Sequence, residues 1–353
     1  MSTPSSDRQK PTPDTTQSPS HPASQQPQRR PLLMVLWAIC AVVIVGVATA
    51  FSVQAADRGE DIRANMTFIA PAAPGGGWDT FMREMQQADT TNNLVGNAQV
   101  VNVPGAAGTI GLGRISTMTG DASTILVTGT GLVAGVEQLD APVSHADVTP
   151  IARVVEEYDV VVVPADSPYN TLGDLVTAWK KDPGDLVWTG GGSFDQLVVS
   201  EFALAADIDP SKVSYLPNAG GGEATQSLVT GTADASTSGY RDVSDQIESG
   251  RLKVLGVAAP ERMPVAEDIP TLTEQGYAVD LANWRAIVAP PDITEQERAE
   301  LTALVRETIS TPEWQQAVDR NAWTESYLDG EEFEQFLVDE HDRVADLYTE
   351  MGL

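Results

Sequence analysis

Past residue 65 the chain alternates between short apolar runs and longer stretches whose apolar residues recur every three or four positions. The runs "MTFIA" (66–70), "AQVVNV" (98–103), "STILVT" (123–128), "LVWTG" (186–190), "VSYLP" (213–217), "LKVLGVAA" (252–259) and "ANWRAIVAP" (282–290) read as buried strands, and "IARVVEEYDVVVV" (151–163) holds one or two more. Between them lie amphipathic stretches. "TFMREMQQ" sets Phe81 and Met85 one helical turn apart, and "DQLVVSEFALAAD" (195–207) puts Val198 and Phe202 on one face. "TLGDLVTAWKK" opens on a Thr171–Asp174 capping box. "IGLGRISTM", "LVAGVEQL" and "EATQSLVT" are helix-like too, the last stopped by Gly231. Beyond residue 290 the texture becomes helical: a Thr294–Glu297 capping box, a Thr311 N-cap with Pro312 at the first helical position, and a long amphipathic C-terminal stretch. Strand–helix alternation predicts an α/β fold with largely parallel sheets.

The first 31 residues are rich in Pro, Ser, Gln and Thr and hold almost no large apolar side chain. Such a tail cannot bury enough surface to offset its ordering entropy, so it is expected to be disordered. Residues 32–53, "LLMVLWAICAVVIVGVATAFSV", are uncharged and long enough to span a bilayer. Arg29 and Arg30 precede them, which places the tail in the cytoplasm and the body outside. Two readings stay open: an anchor helix, or a secretory signal cleaved after "VQA" (53–55).

Charge narrows the partners. The formal net charge is −29, and the tail is slightly basic, so the body carries all of the acidity. A surface that acidic repels nucleic acid and anionic lipid headgroups. The one cysteine, Cys40, lies in the apolar run, which leaves no intrachain disulfide and no cysteine metal site.

Four glycine-rich loops carry the chemical signal. "PGGGWDT" (74–80), "PGAAGTIG" (104–111), "GGGSFDQ" (190–196) and "GGGEATQ" (220–226) each follow a strand-like run and precede a helix-like one. In open α/β sheets ligands bind beyond the carboxyl ends of strands. Glycine lets backbone approach a ligand, and a helix N-terminus offers unpaired N–H donors with a positive dipole end. Any one loop is an ordinary turn; four of them, two in each half of the body, point to an anion held in a cleft between two domains.

Catalytic residues are scarce. His21 is in the tail, His145 is in a loop, His341 is on the charged terminal helix, and no two have metal-ligand spacing. "GGSFD" lacks the last glycine of a nucleophile elbow. Gly129-x-Gly131-x-x-Ala134 imitates a dinucleotide fingerprint, but no acidic residue ends a strand about 20 residues on, so it reads as a strand-to-helix turn. Neither cofactor nor metal is expected, and no enzymatic activity.

"PAAPGGGWDT" followed by "NVPGAAGTIG" resembles the paired signature of the Bug family, the extracytoplasmic solute-binding proteins of tripartite tricarboxylate transporters. The resemblance continues through "VVVPADSPYNTLGDL", "GGGSFDQLVVSEF", "VSYLPNAGGGEATQSLVTGTADA" and "NWRAIVAP" and covers residues 65 to 350. It implies a two-lobe periplasmic-binding-protein fold with a ligand cleft between the lobes, preceded here by the N-terminal apolar helix. Chain crossings near 160–165 and 280–285 would make the first lobe 65–162 plus 285–353 and the second 163–284. One ligand carboxylate would be gripped by Gly75, Gly76, Gly77, Trp78 and Asp79 with Pro104, Gly105, Ala106, Ala107 and Gly108. Asp79 would act as a cap that shapes the loop. The rest of the ligand would meet Gly192, Ser193 and Asp195 and then Gly221 and Gly222, with Thr128, Ser238 and Tyr240 adding contacts. Many relatives carry Ser-x-x-His after the third cluster. Here Asp195 and Gln196 stand near that place, which argues against a second ligand carboxylate unless Arg241 or Arg285 offsets the charge. The implied protein is a monomer that delivers a small carboxylate to membrane permease subunits; a sensor reporting the solute to a membrane signalling partner is the alternative.

Overall fold

The computed structural model describes residues 61–218 and 220–352. The tail and the apolar segment 32–53 lie outside the described residues. β1 (Met66–Ala70) leads through the first glycine loop into α1 (Gly77–Thr91), and β2 (Ala98–Asn102) leads through the second into α2 (Thr109–Ser116). β3 (Thr124–Gly129) runs directly into α3 (Thr130–Gln138), and β4 (Thr149–Glu157) is followed after Tyr158 by β5 (Asp159–Pro164). Next come α4 (Leu172–Lys181), β6 (Val187–Gly190), α5 (Ser193–Ala205), β7 (Ser214–Pro217), α6 (Gly221–Val229), β8 (Ala235–Gly239), α7 (Tyr240–Glu248) and β9 (Leu252–Val257). The chain ends with β10 (Asn283–Ala289), α8 (Glu295–Ile309), α9 (Pro312–Asn321), β11 (Thr324–Asp329) and α10 (Gly330–Met351).

The strands form two sheets, ordered β11-β4-β10-β3-β1-β2 and β7-β6-β8-β5-β9. Both are mixed, which corrects the expectation of largely parallel sheets. β1 is parallel to β2 and β3, and β6 is parallel to β7 and β8, as right-handed strand–helix–strand units require. β10 runs antiparallel to β3 and β4, and β5 antiparallel to β8 and β9. These are strands by which the chain passes from one sheet to the other and back, so their direction is set by the crossing. "IARVVEEYDVVVV" is therefore two strands in two different sheets, broken at Tyr158.

Each sheet buries both faces. On the first, Phe68, Phe81, Met85 and Trp314 fill one side, and Ile69, Leu112, Leu126 and Leu132 fill the other. The alternation of Phe68 and Ile69 on adjacent positions of β1 is what a strand covered on both sides needs. On the second sheet Val161, Trp188 and Phe202 face one core and Val160, Leu228 and Val243 the other. The C-terminal helix α10 sets Phe333, Leu337 and Val344 into the same cluster as Trp188 and Phe202, together with Trp284 of β10, so one apolar cluster takes in side chains from both sheets. Each of these large side chains contributes roughly 1.5–3 kcal/mol by leaving water.

Candidate functional site

Six helices begin at glycine with no side chain capping them: α1 at Gly76, α2 at Gly108, α3 at Gly129, α5 at Gly192, α6 at Gly220 and α7 at Gly239. Of the other helices, α4 and α8 have full capping boxes on Thr171 and Thr294, α9 is capped by Thr311, and α10 follows Asp329 without a side-chain cap. The first four N–H groups of any helix need partners from outside it. Five of these six termini converge on one cleft of about 1070 Å³, whose wall takes in Gly76, Gly108, Gly192, Gly220 and Gly239. That volume is what a small-molecule site requires.

The glycines of the wall differ in what they make room for. A Cβ on Gly75, Gly192, Gly220 or Gly222 would meet no protein atom within 4 Å. A Cβ on Gly108 would press on the Trp78 ring, 2.9 Å away, and one on Gly77 would press on the Arg285 guanidinium at 2.9 Å. The second loop is wound tightly. Gly105, Ala106, Ala107 and Gly108 all have positive φ, a conformation that costs an L-residue such as alanine about 1–2 kcal/mol. Such strain in exposed backbone beside a cleft suits a loop shaped for a ligand.

Polar groups of the wall come mostly from where the chain crosses between sheets. Glu157, at the end of β4, is ion-paired with Arg285 and accepts a hydrogen bond from Asn283 Nδ2 at 3.0 Å. Burial raises the Glu157 carboxyl even though Arg285 works against it. Arg285 is only 6% exposed and lies over the Trp323 ring at 5.1 Å, so its charge is engaged within the protein. Asn218 donates to Thr189 Oγ1 at 2.6 Å.

Two aspartates hold matching places. Asp79 and Asp195 are each the third residue of a helix, and each accepts the backbone N–H four residues earlier, from Gly75 and Gly191. Burial alone would raise the Asp79 carboxyl; Arg83, the Gly75 N–H and Asn102 outweigh it and hold the group below the usual carboxylate range. Burial pushes Asp195 up to about 7, against the Gly191 N–H, with Asp242 and Glu157 adding to the rise.

Of the expected site residues, Gly75, Gly76, Gly77, Trp78, Pro104, Gly105, Ala107, Gly108, Gly192, Ser193, Asp195, Gly221, Gly222 and Arg241 line this one cleft. Asp79, which is buried, and Ala106, which is exposed, do not line it. Thr128 is buried and shares a 2.5 Å hydrogen bond with His145, and His145 in turn meets His341 of α10 at 2.9 Å. Ser238 is buried and Tyr240 is partly buried, packed with the core on the α7 side. Neither belongs to the wall. Glu157, Asn218, Asp242, Asn283 and Trp323 line the cleft without having been anticipated. Asp242 had a local signal: like Asp79 and Asp195 it is the third residue of a helix begun by glycine.

Among known proteins, the sequence profile of the tripartite tricarboxylate transporter family receptors (TctC) matches residues 82–353. The "UPF0065 protein in tcbD-tcbE intergenic region" of Pseudomonas sp. is 27% identical over 255 residues, 70% of this chain and 74% of that protein. A TctC solute-binding protein from Polaromonas, crystallised without ligand, superposes with a TM-score of 0.68 at 26% identity, over 81% of this chain and 98% of that one. MatC from Rhodopseudomonas palustris, solved with bound malate, has the same fold: TM-score 0.67, 22% identity, 80% and 98% coverage. This family and fold are those of substrate-binding proteins. With its glycine-lined cleft and a profile match over most of its length, the chain belongs to the TctC family of tripartite tricarboxylate transporter receptors.

Proposed function

We propose that the protein captures a small carboxylate between two lobes, one built on each sheet, and delivers it outside the cytoplasmic membrane to the permease subunits of a tripartite tricarboxylate transporter. The observation that carries this reading is the convergence of uncapped, glycine-begun helix N-termini on one cleft. A carboxylate supplies the acceptors those N–H groups lack, and the helix dipoles favour its charge. Hydrogen bonds to a charged group are worth roughly 1.5–3 kcal/mol each. Four to six of them, less the cost of closure, reach the roughly 8 kcal/mol that micromolar binding needs. The malate bound by MatC supports the same ligand class. Because the ligand touches both lobes, it draws the open form toward the closed one in proportion to its preference for the latter, and the permease reads the closed form.

A thermal-shift screen of the protein against mono-, di- and tricarboxylates and amino acids tests the reading. A ligand at 100 times its dissociation constant adds about 2.7 kcal/mol of stability, and Trp78, which lines the cleft beside Gly108 and Gly131, should change its fluorescence. A flat response to every carboxylate-bearing compound would refute the proposal.

A further inference from the structure

We infer that the ligand carries a cationic group as well as its carboxylate, that the cation is neutralised by Asp195, and that the substrate class is therefore zwitterionic: an amino acid or a betaine. This deepens the carboxylate reading and rests on it.

The two ends of the cleft differ in sign. At the first-sheet end, α2 and α3 have no acidic residue in their first turns, and the acid of α1, Asp79, is matched by Arg83. At the second-sheet end every helix that opens on the cleft carries an acid in its first turn: Asp195 in α5, Glu223 in α6 and Asp242 in α7. A cleft that is positive at one end and negative at the other suits a dipolar ligand. It disfavours a dicarboxylate, whose second charge would enter the acidic end.

The twin loops show what completes this motif. Gly75-Gly76-Gly77-Trp78-Asp79 and Gly191-Gly192-Ser193-Phe194-Asp195 share one local design, with the aspartate turned back on the loop N–H. In the first, the carboxylate also binds a cation, with Arg83 nitrogens at 2.9 Å, and the Asn102 amide at 2.8 Å. In the second, the position equivalent to Arg83 is Val199, which is buried, and among the described residues no cation pairs with Asp195.

The surroundings deepen the deficit. Asp159 of β5 is 1% exposed, and one of its carboxyl oxygens has no partner. It lies on the sheet face covered by α5, where burial and the charges of Asp195, Glu157 and Asp242 all raise its carboxyl. The buried Tyr215 hydroxyl, also without a partner, lies with the Asp195 side chain against Gly190. The cleft's two arginines answer other acids: Arg285 pairs with Glu157, and Arg241 acts on Asp242 beside it. A ligand ammonium placed at Asp195 would do for the second loop what Arg83 does for the first.

Calorimetric titration of the full-length protein at pH 7.5 with three matched series tests this. The series are amino acids (α-amino acids and ω-amino acids of three to six carbons, with glycine betaine), dicarboxylates of equal length, and monocarboxylates. At least one zwitterion should bind tenfold or more tightly than its matched dicarboxylate and monocarboxylate. Asp195→Asn keeps an acceptor for the Gly191 N–H; it should weaken that zwitterion at least tenfold and leave the monocarboxylate within about threefold, which a misfolded variant would not do. Dicarboxylates binding more tightly than zwitterions, or zwitterion affinity unchanged in Asp195→Asn, would overturn the inference while the carboxylate reading stands. Binding from none of the three series would overturn both.

Discussion

Gly191 and Gly192 are neighbours, yet they are glycine for different reasons. A Cβ on Gly191 would overlap the backbone at Gly220 and Gly221, where the two loops touch; a Cβ on Gly192 would enter open cleft. Gly191→Ala should therefore cost about 1–3 kcal/mol of stability through overpacking. Gly192→Ala, at an extended backbone any residue adopts, should leave the melting temperature nearly unchanged and weaken ligand binding at least fivefold. Denaturation paired with titration separates the two. Asp79 lies on the structural side of the same division. Asp79→Asn loses charged partners of a buried carboxylate and should destabilise by roughly 1–3 kcal/mol. Since the folded carboxyl is held below its ordinary value, the wild-type advantage is present above about pH 4 and lost as pH falls through the lower folded value. Urea unfolding at pH 7 and pH 3 should show the difference between variant and wild type shrinking at the lower pH.

At the scale of the element, the division is between helices that cap themselves and helices that leave their N-termini to the cleft. Thr294 caps α8 through the Glu297 N–H, and Glu297 returns the bond. Thr294→Ala should cost about 1 kcal/mol and leave binding untouched. Gly220→Asp should do the reverse: its carboxylate would cap α6, hold or raise stability, and occupy the donors a ligand needs, with a binding loss of tenfold or more. Equal losses of stability and binding in both variants would contradict this separation. The helices were readable in advance where an apolar face or a capping box marks them, as at Thr171, Thr294 and Thr311. α7 escaped notice because its sequence, "YRDVSDQIE", buries only Val243 and Ser244. β11 escaped because it is a half-exposed strand at the sheet edge, with few apolar residues to mark it.

Across the whole molecule, buried titratable groups oppose one another as pH changes. His145 is pushed down to about 3, chiefly by burial and in lesser part by the neighbouring His341. The unfolded chain takes up a proton near pH 6.5 that the native state refuses, so this group subtracts stability as pH falls from about 6.5 toward 3. Asp195 and Asp89 are raised to about 7, chiefly by burial, so each adds stability below about pH 4 and withdraws it as pH rises to 7. His145→Gln should flatten the first dependence, and Asp195→Asn should remove its share of the second and leave that of Asp89; Asp195→Asn should also raise the unliganded protein's melting temperature at pH 8 by about 2 °C or more. Urea denaturation between pH 4 and 8 resolves both slopes, each group contributing at most about 1.4 kcal/mol per pH unit. The same aspartate that burdens the empty fold is the one assigned to the ligand, the trade expected of a binding site.

What the residues alone determined was local. Strand and helix stretches follow from apolar period, and the glycine loops follow from spacing, because close backbone approach and uncapped helix starts are encoded in a few adjacent residues. What only the tertiary structure decided is non-local: the antiparallel course of β5 and β10, the joining of five helix starts around one cleft, and the company each charge keeps. Asp79 and Asp195 read alike in sequence, each an acid two residues after a run of small ones. One finds Arg83 a turn away and a neutral amide across the loop; the other finds Asp159, Glu157 and Asp242, brought in from other elements of the fold. Electrostatic energy depends on distance in space, and for these groups distance along the chain says almost nothing about it.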